Sequence, residues 1–155
     1  MTLAIVRTRA RVGMNAPEVT VEVHLSNGLP AFNIVGLPDA AVRESKERVR
    51  SAILNSDYEF PQRRITVNLA PADLPKDGGR FDLPIAIGIL AASQQIPLAA
   101  LERHEFVGEL ALSGELRPVD GVLTASLAAT TQQRSLFVPR HNACEASVPK
   151  ASRIH

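Results

Sequence analysis

Tryptophan is absent from this chain, tyrosine occurs once and phenylalanine five times, so the aromatic surface on which single-stranded nucleic acids stack is thin. Cys144 is the sole cysteine, which excludes an internal disulfide and fits a reducing compartment. No apolar run approaches the roughly 20 residues that span a bilayer. The N-terminal MTLAIVRTRARVG reaches Arg7 after a short apolar stretch and has no small-residue cleavage site, which excludes a secretory signal. A cytoplasmic protein without membrane contact is expected. The net charge is only +1, from 17 Lys and Arg against 16 Asp and Glu, well short of a dedicated nucleic-acid binder. Local charge says more. Arg7, Arg9 and Arg11 alternate with Thr8 and Ala10 and would share one face of a strand, and further clusters lie at 43–50 and at Arg63-Arg64. Each reads either as a solvated face or as a surface for a polyanion.

Motifs that carry chemistry are equally sparse. A phosphate-binding P-loop sets glycines around a Lys-Ser/Thr pair, whereas here Lys76 precedes Gly78-Gly79 and no hydroxyl follows. His24, His104, His141 and His155 are scattered, and His141 with Cys144 offers only two neighbouring ligands, so no metal site is expected. No serine sits in a Gly-x-Ser-x-Gly elbow, and Cys144 lacks a glycine-rich context. Asp77 and Asp82 are candidates for acid–base work; they are equally a turn residue and a helix cap.

What is present is a rigid loop at 71–84, PADLPKDGGRFDLP, with Gly78-Gly79 between Asp77 and Arg80. It follows an alternating strand at 65–69 and runs into an apolar helix at 83–92. Strand, glycine loop and helix start together gather backbone N–H groups and the helix dipole. That helix is hydrophobic on every side and is therefore buried, with Asp82 as its cap and Pro84 in its first turn. Upstream, the segments 3–6, 19–25 and 31–35 read as strands, and Asn27-Gly28 predicts a hairpin between the last two, giving a meander. Between 40 and 55, Ala41, Val42, Val49, Ala52 and Ile53 fall on one helical face, capped by Asp39. Downstream, 106–112 and 115–119 form a hairpin across Ser113-Gly114, followed by a third helix at 122–131, a last strand at 136–138 and a short helix at 140–146. Residues 148–155 read as an end other than a natural domain boundary. Nothing divides the chain, so 1–155 is expected to be one α+β domain with a mixed sheet and about three helices.

The string Pro75-Lys76-Asp77-Gly78 before a buried helix, then Gly108-Glu109-Leu110 and Ser113-Gly114-Glu115-Leu116-Arg117-Pro118-Val119, resembles the proteolytic domain of Lon-type proteases. In that family a catalytic serine follows the loop, and a lysine early in the helix after the hairpin completes a Ser-Lys dyad. The matching positions here hold Arg80 and Leu123. Without a hydroxyl to attack and an amine to take its proton, the resemblance implies a Lon-like scaffold with a degenerate site and no catalytic residue.

Four longer strings stand in order along the chain: 21–30 (VEVHLSNGLP), 35–38 (VGLP), 49–56 (VRSAILNS) and 68–84 (NLAPADLPKDGGRFDLP). They resemble the N-terminal domain of the ComM/YifB group of Mg-chelatase-like AAA+ proteins. That resemblance implies a ribosomal-protein-S5-domain-2-like fold with a left-handed βαβ crossover, against the usual hand. It also implies a hexameric, ATP-driven DNA motor for branch migration in natural transformation. The ATP and Mg of that motor belong to an AAA+ module downstream, so no cofactor is expected in this chain. The implied partners are the AAA+ module itself, neighbouring subunits and DNA. Arg7, Arg9, Arg11, Lys76 and Arg80 are then the candidate contacts with DNA or a partner, and Asp77, Gly78, Gly79 and Asp82 the structural loop. An oligomerisation or partner-binding module without DNA contact is the alternative; a hydrolase or a Mg-chelatase subunit is a more distant one.

Overall fold

Alternation of apolar and polar residues makes the strands, and the degree of alternation sorts them within the sheet. The computed structural model describes residues 3–99, 101–149 and 152–155. Its main sheet has six strands: β1 (Leu3–Arg9), β2 (Glu18–Ser26), β3 (Ala31–Val35), β4 (Arg64–Ala70), β5 (His104–Phe106) and β8 (Ser135–Phe137). They lie in the order β3-β4-β2-β1-β5-β8. Pairs β1–β2 and β2–β4 are antiparallel, while β3–β4, β1–β5 and β5–β8 are parallel. The fold is thus mixed α/β with a mixed sheet. Val19, Val21, Val23 and Leu25 of β2 and Ile65, Val67 and Leu69 of β4 point into one core, and the residues between them face outward.

The expected meander is wrong. β4 inserts between β2 and β3, because its three buried aliphatics suit an internal strand, whereas β3 buries only Ile34 and takes the edge. Asn27-Gly28, with Pro30 behind it, therefore turns the chain without closing a hairpin. β3 instead runs parallel to β4 through a helical crossover, α1 (Ala40–Arg43) and α2 (Ser45–Asn55). The single helix expected over 40–55 is broken at Glu44. There the buried Ser45 hydroxyl donates to the Val42 carbonyl, a local bond that competes with helix continuation. Asp39 caps α1 as expected, its carboxylate accepting from the Val42 N–H at 2.8 Å.

α3 (Asp82–Ala92) lies on β1 and β2 as the central helix, and Gly88 lets it approach the Val23 side chain. Ile85 and Ile89 are fully buried in it, each contributing about 1.5–3 kcal/mol. No helix among the described residues is long and apolar enough to cross a membrane. The expected second hairpin exists but is shorter, β6 (Glu109–Leu110) against β7 (Leu116–Arg117). The run 106–112 divides after β5 because Gly108 leaves the main sheet. Its N–H donates to the Arg80 carbonyl and its own carbonyl accepts from the Leu83 N–H, both at 3.1 Å. α4 (Val122–Thr131), β8 and α5 (Ala143–Ala146) enclose a smaller core of Val107, Val122, Ala125, Ala129, Leu136 and Val138.

The last residues are tied to this unit. The His155 N–H donates to the Leu136 carbonyl, and the Val138 N–H donates to the His155 carbonyl, both at 2.9 Å. The His155 ring stacks on Phe137 at 4.9 Å, and His104 meets the same ring edge-on at 5.2 Å. Burial, with a smaller repulsion from His155, lowers the His104 pKa below the usual imidazole value. The unfolded chain then binds more protons than the folded one below about pH 6.5, so stability falls as pH drops through that value. His104→Gln should flatten the dependence of Tm on pH between about 7.5 and 5. An unchanged slope would show that His104 is not its source.

Candidate functional site

The loop from β4 to α3 is held from beneath by one lysine. Lys76 is 1% exposed, and its ammonium donates to the Gly36 carbonyl at 2.7 Å and to the Pro71 carbonyl. Its backbone N–H donates to Leu37 and its carbonyl accepts from the Asp39 N–H, tying the loop to the entry of α1. Burial lowers its pKa, opposed by Asp73. Gly36, at φ +105°, brings its carbonyl into this arrangement where a side chain would overlap the Leu69 carbonyl. Lys76 is therefore a structural anchor and is withdrawn from any contact surface.

Asp82 has a similar role. It is the first residue of α3 and makes no cap bond. Fully buried, it accepts from Arg48 Nε at 2.7 Å, from Arg48 Nη2 at 3.1 Å and from the Leu110 N–H at 3.0 Å. Burial pushes its pKa up, against the opposing pull of Arg48 and the Leu110 N–H. The expectation of a helix cap is corrected: the carboxylate clamps α2 and β6 to α3, and it is not available for acid–base chemistry in a cleft.

Above the loop lies an open cleft of about 440 Å³. Arg80, 6% exposed, fills its floor. Its Nε donates to the Arg9 carbonyl at 2.9 Å and its Nη1 to the Asp120 carbonyl at 2.8 Å, while Nη2 is buried without a partner. Burial lowers the Arg80 pKa, with a further push from Arg11. Arg80 thus touches the turn that opens α4, the helix carrying the half-buried Leu123. Asp77, Gly78 and Gly79 line one wall; Asp39, Glu109 and Asp120 line others. Four carboxylates outnumber the guanidiniums of Arg11 and Arg80, and no lining residue carries a hydroxyl, thiol or amine side chain. The chemistry on offer is ion pairing and hydrogen bonding.

The arginines of the first strand part company. β1 ends at Arg9, so only Arg7 and Arg9 share its outer face. Arg9 is 6% exposed and bonds Glu105 with both Nε at 2.7 Å and Nη2 at 2.9 Å. Arg134 joins Glu105 at 3.1 Å and also pairs with Glu18. Arg9 is consequently lost as a surface contact. Arg7 stays half-buried on the outer face, and Arg11 stands at the cleft rim, 3.7 Å from Asp120. The five proposed contacts do not form one surface. Among the described residues no group of three His, Cys, Asp or Glu converges on a metal position. Glu109, Asp120, Asp39 and Arg48 escape sequence reasoning, because only tertiary contacts bring them to the loop.

The chain is 60% identical over 148 residues to the competence protein ComM of Haemophilus influenzae, covering 96% of this chain and 29% of that protein. It is 57% identical over 145 residues to the uncharacterized protein YifB of Salmonella typhimurium, covering 94% of this chain and 29% of that one. A Lon protease of Mycoplasma mobile is 29% identical over 87 residues, 56% of this chain and 10% of the protease. The chain thus spans less than a third of the length of these ComM and YifB relatives. Residues 21–142, well over half of the chain, match the family described as subunit ChlI of Mg-chelatase. The chain belongs to that Mg-chelatase-like family, in its ComM/YifB group with a Lon-like domain.

Proposed function

We propose that this chain is a non-catalytic Lon-like domain of a ComM/YifB-type AAA+ protein, serving ring assembly and DNA contact for an ATP-driven branch-migration motor in competence and recombination. We further infer an S5-domain-2-like fold over 1–155. The observation that carries the reading is Arg80. At the position where Lon proteases place their nucleophile, a buried guanidinium bonds two backbone carbonyls, so the cleft floor is already filled. The rim remains charged and rigid, which suits docking of another protein surface.

The acidic balance of this cleft favours a protein partner there, a neighbouring subunit or the motor module, and disfavours DNA phosphates. Arg11→Ala with Asp77→Ala and Glu109→Ala should prevent the full-length parent protein from forming ATP-dependent hexamers, as read by light scattering. Rings of wild-type size from a folded triple variant would remove the cleft from the assembly interface. A hydrolytic turnover abolished by Asp77→Asn would overturn the non-catalytic part of the reading.

A further inference from the structure

Two charge clusters that are separate in sequence meet at the β3 edge of the sheet. The crossover through α1 and α2 sets Arg43, Lys46 and Arg50 beside Arg63 and Arg64, at the start of β4. Two adjoining hollows of about 510 Å³ and 250 Å³ lie there, and Lys46 lines both. Among the described residues none of these five cations makes a salt bridge, while Arg9, Arg48 and Arg134 are all ion-paired. Glu47 is the one carboxylate lining either hollow. Five cations without a salt bridge among the described residues are thus gathered along one groove of a chain whose net charge is only +1. Side chains of one sign at this density repel each other, and a polyanion relieves the repulsion.

Two of the chain's six Phe and Tyr side chains lie at the same place. Phe32 and Phe60 lie with ring centroids 5.8 Å apart, and the Arg50 guanidinium sits 5.8 Å from the Phe60 centroid. Both rings are half-buried and line the smaller hollow. Cations that follow a backbone, with recessed rings beside them, are the combination that holds single-stranded nucleic acid. A recessed groove suits a strand better than a flat anionic membrane.

We propose that this groove binds the phosphate backbone of single-stranded DNA, with bases placed against Phe32 and Phe60. The proposal rests on the DNA-contact part of the reading above and moves that contact away from the cleft. The test uses the 155-residue chain and a fluorescent oligo-dT of about 20 nucleotides, followed by anisotropy. Four engaged phosphates predict a loss of about 50-fold in affinity between about 50 and 200 mM salt. Arg43→Gln/Lys46→Gln/Arg50→Gln should weaken binding at least tenfold and flatten the salt dependence, and Arg63→Gln/Arg64→Gln should do the same. Phe60→Leu should weaken binding about fivefold or more with the salt slope kept. Arg7→Gln/Arg11→Gln should bind like the parent chain. Thermal unfolding checks that each variant is folded.

Groove variants that bind as well as the parent, binding indifferent to salt, or no binding at low salt would overturn the groove. So would tighter association with phosphatidylserine vesicles than with the oligonucleotide. If only Arg7→Gln/Arg11→Gln abolishes binding, DNA contact stands and the groove falls. Failure of the ring-assembly reading is seen separately, by light scattering on the full-length protein.

Discussion

Arg48→Met is expected to destabilise the domain by about 3–5 kcal/mol at neutral pH, because it strands a buried carboxylate. Asp82 is fully buried and would keep only the Leu110 N–H of its three donors. The Ala41 carbonyl would also lose its bond from Arg48 Nη2, 2.8 Å long in the parent, loosening α1. Burial already raises the Asp82 pKa, and removing its strongest opposing partner raises it further. A folded-state pKa above the unfolded value favours the protonated, folded form. The stability of the variant should therefore be greatest below about pH 4 and fall as pH rises through the folded pKa. Urea unfolding at about pH 4.5 and 7.5 measures this directly, with the deficit larger at the higher pH. Adding Asp82→Leu should restore most of the loss, since a well-packed apolar pair replaces a buried ion pair at little cost. A deficit below about 1 kcal/mol at neutral pH would show that solvent, and not Arg48, satisfies Asp82.

Gly36→Ala should cost about 4 kcal/mol or more, placing it in the exceptional class for a single methyl group. Two penalties act together. A φ of +105° is unfavourable for any residue with a Cβ, and the added carbon overlaps the Leu69 carbonyl, whose strand β4 is held on both sides by β2 and β3. Relief requires moving Gly36, and with it the carbonyl that accepts from the Lys76 ammonium. The loss should thus reach the cleft loop as well as the sheet. Faster amide exchange at 76–80 in the variant is the expected signature. By contrast, Gly78→Ala meets no atom within 4 Å and carries only the positive-φ cost, about 1–2 kcal/mol.

Periodicity located the elements where local pattern and tertiary demand coincide. The bounds of α4 agree with its apolar spacing, and α3 is buried all round as its composition requires. Asp39 caps α1 because the capping bond is local. Expectations that needed a partner from elsewhere fared differently. Asn27-Gly28 signals a turn, but no local feature reports that β4 will enter between the two strands it separates. Asp82 has the position and chemistry of a cap, yet Arg48, 34 residues away in sequence, claims its carboxylate.

The sequence by itself determined the family, the mixture of helix and strand and the central helix, and it sets Arg80 and Leu123 at the positions that the Lon resemblance gives to a Ser-Lys dyad. Charge is the property it left open. Arg7, Arg9 and Arg11 look alike in a string, and Lys76 and Arg80 look like a pair of loop cations. Burial separates them: Glu105 neutralises Arg9, two carbonyls bind Lys76, and two more bind Arg80. Desolvation, hydrogen bonding and ion pairing depend on neighbours distant along the chain, so only the tertiary structure decides which cations remain outside. It leaves the groove at β3 basic and the cleft above Arg80 acidic.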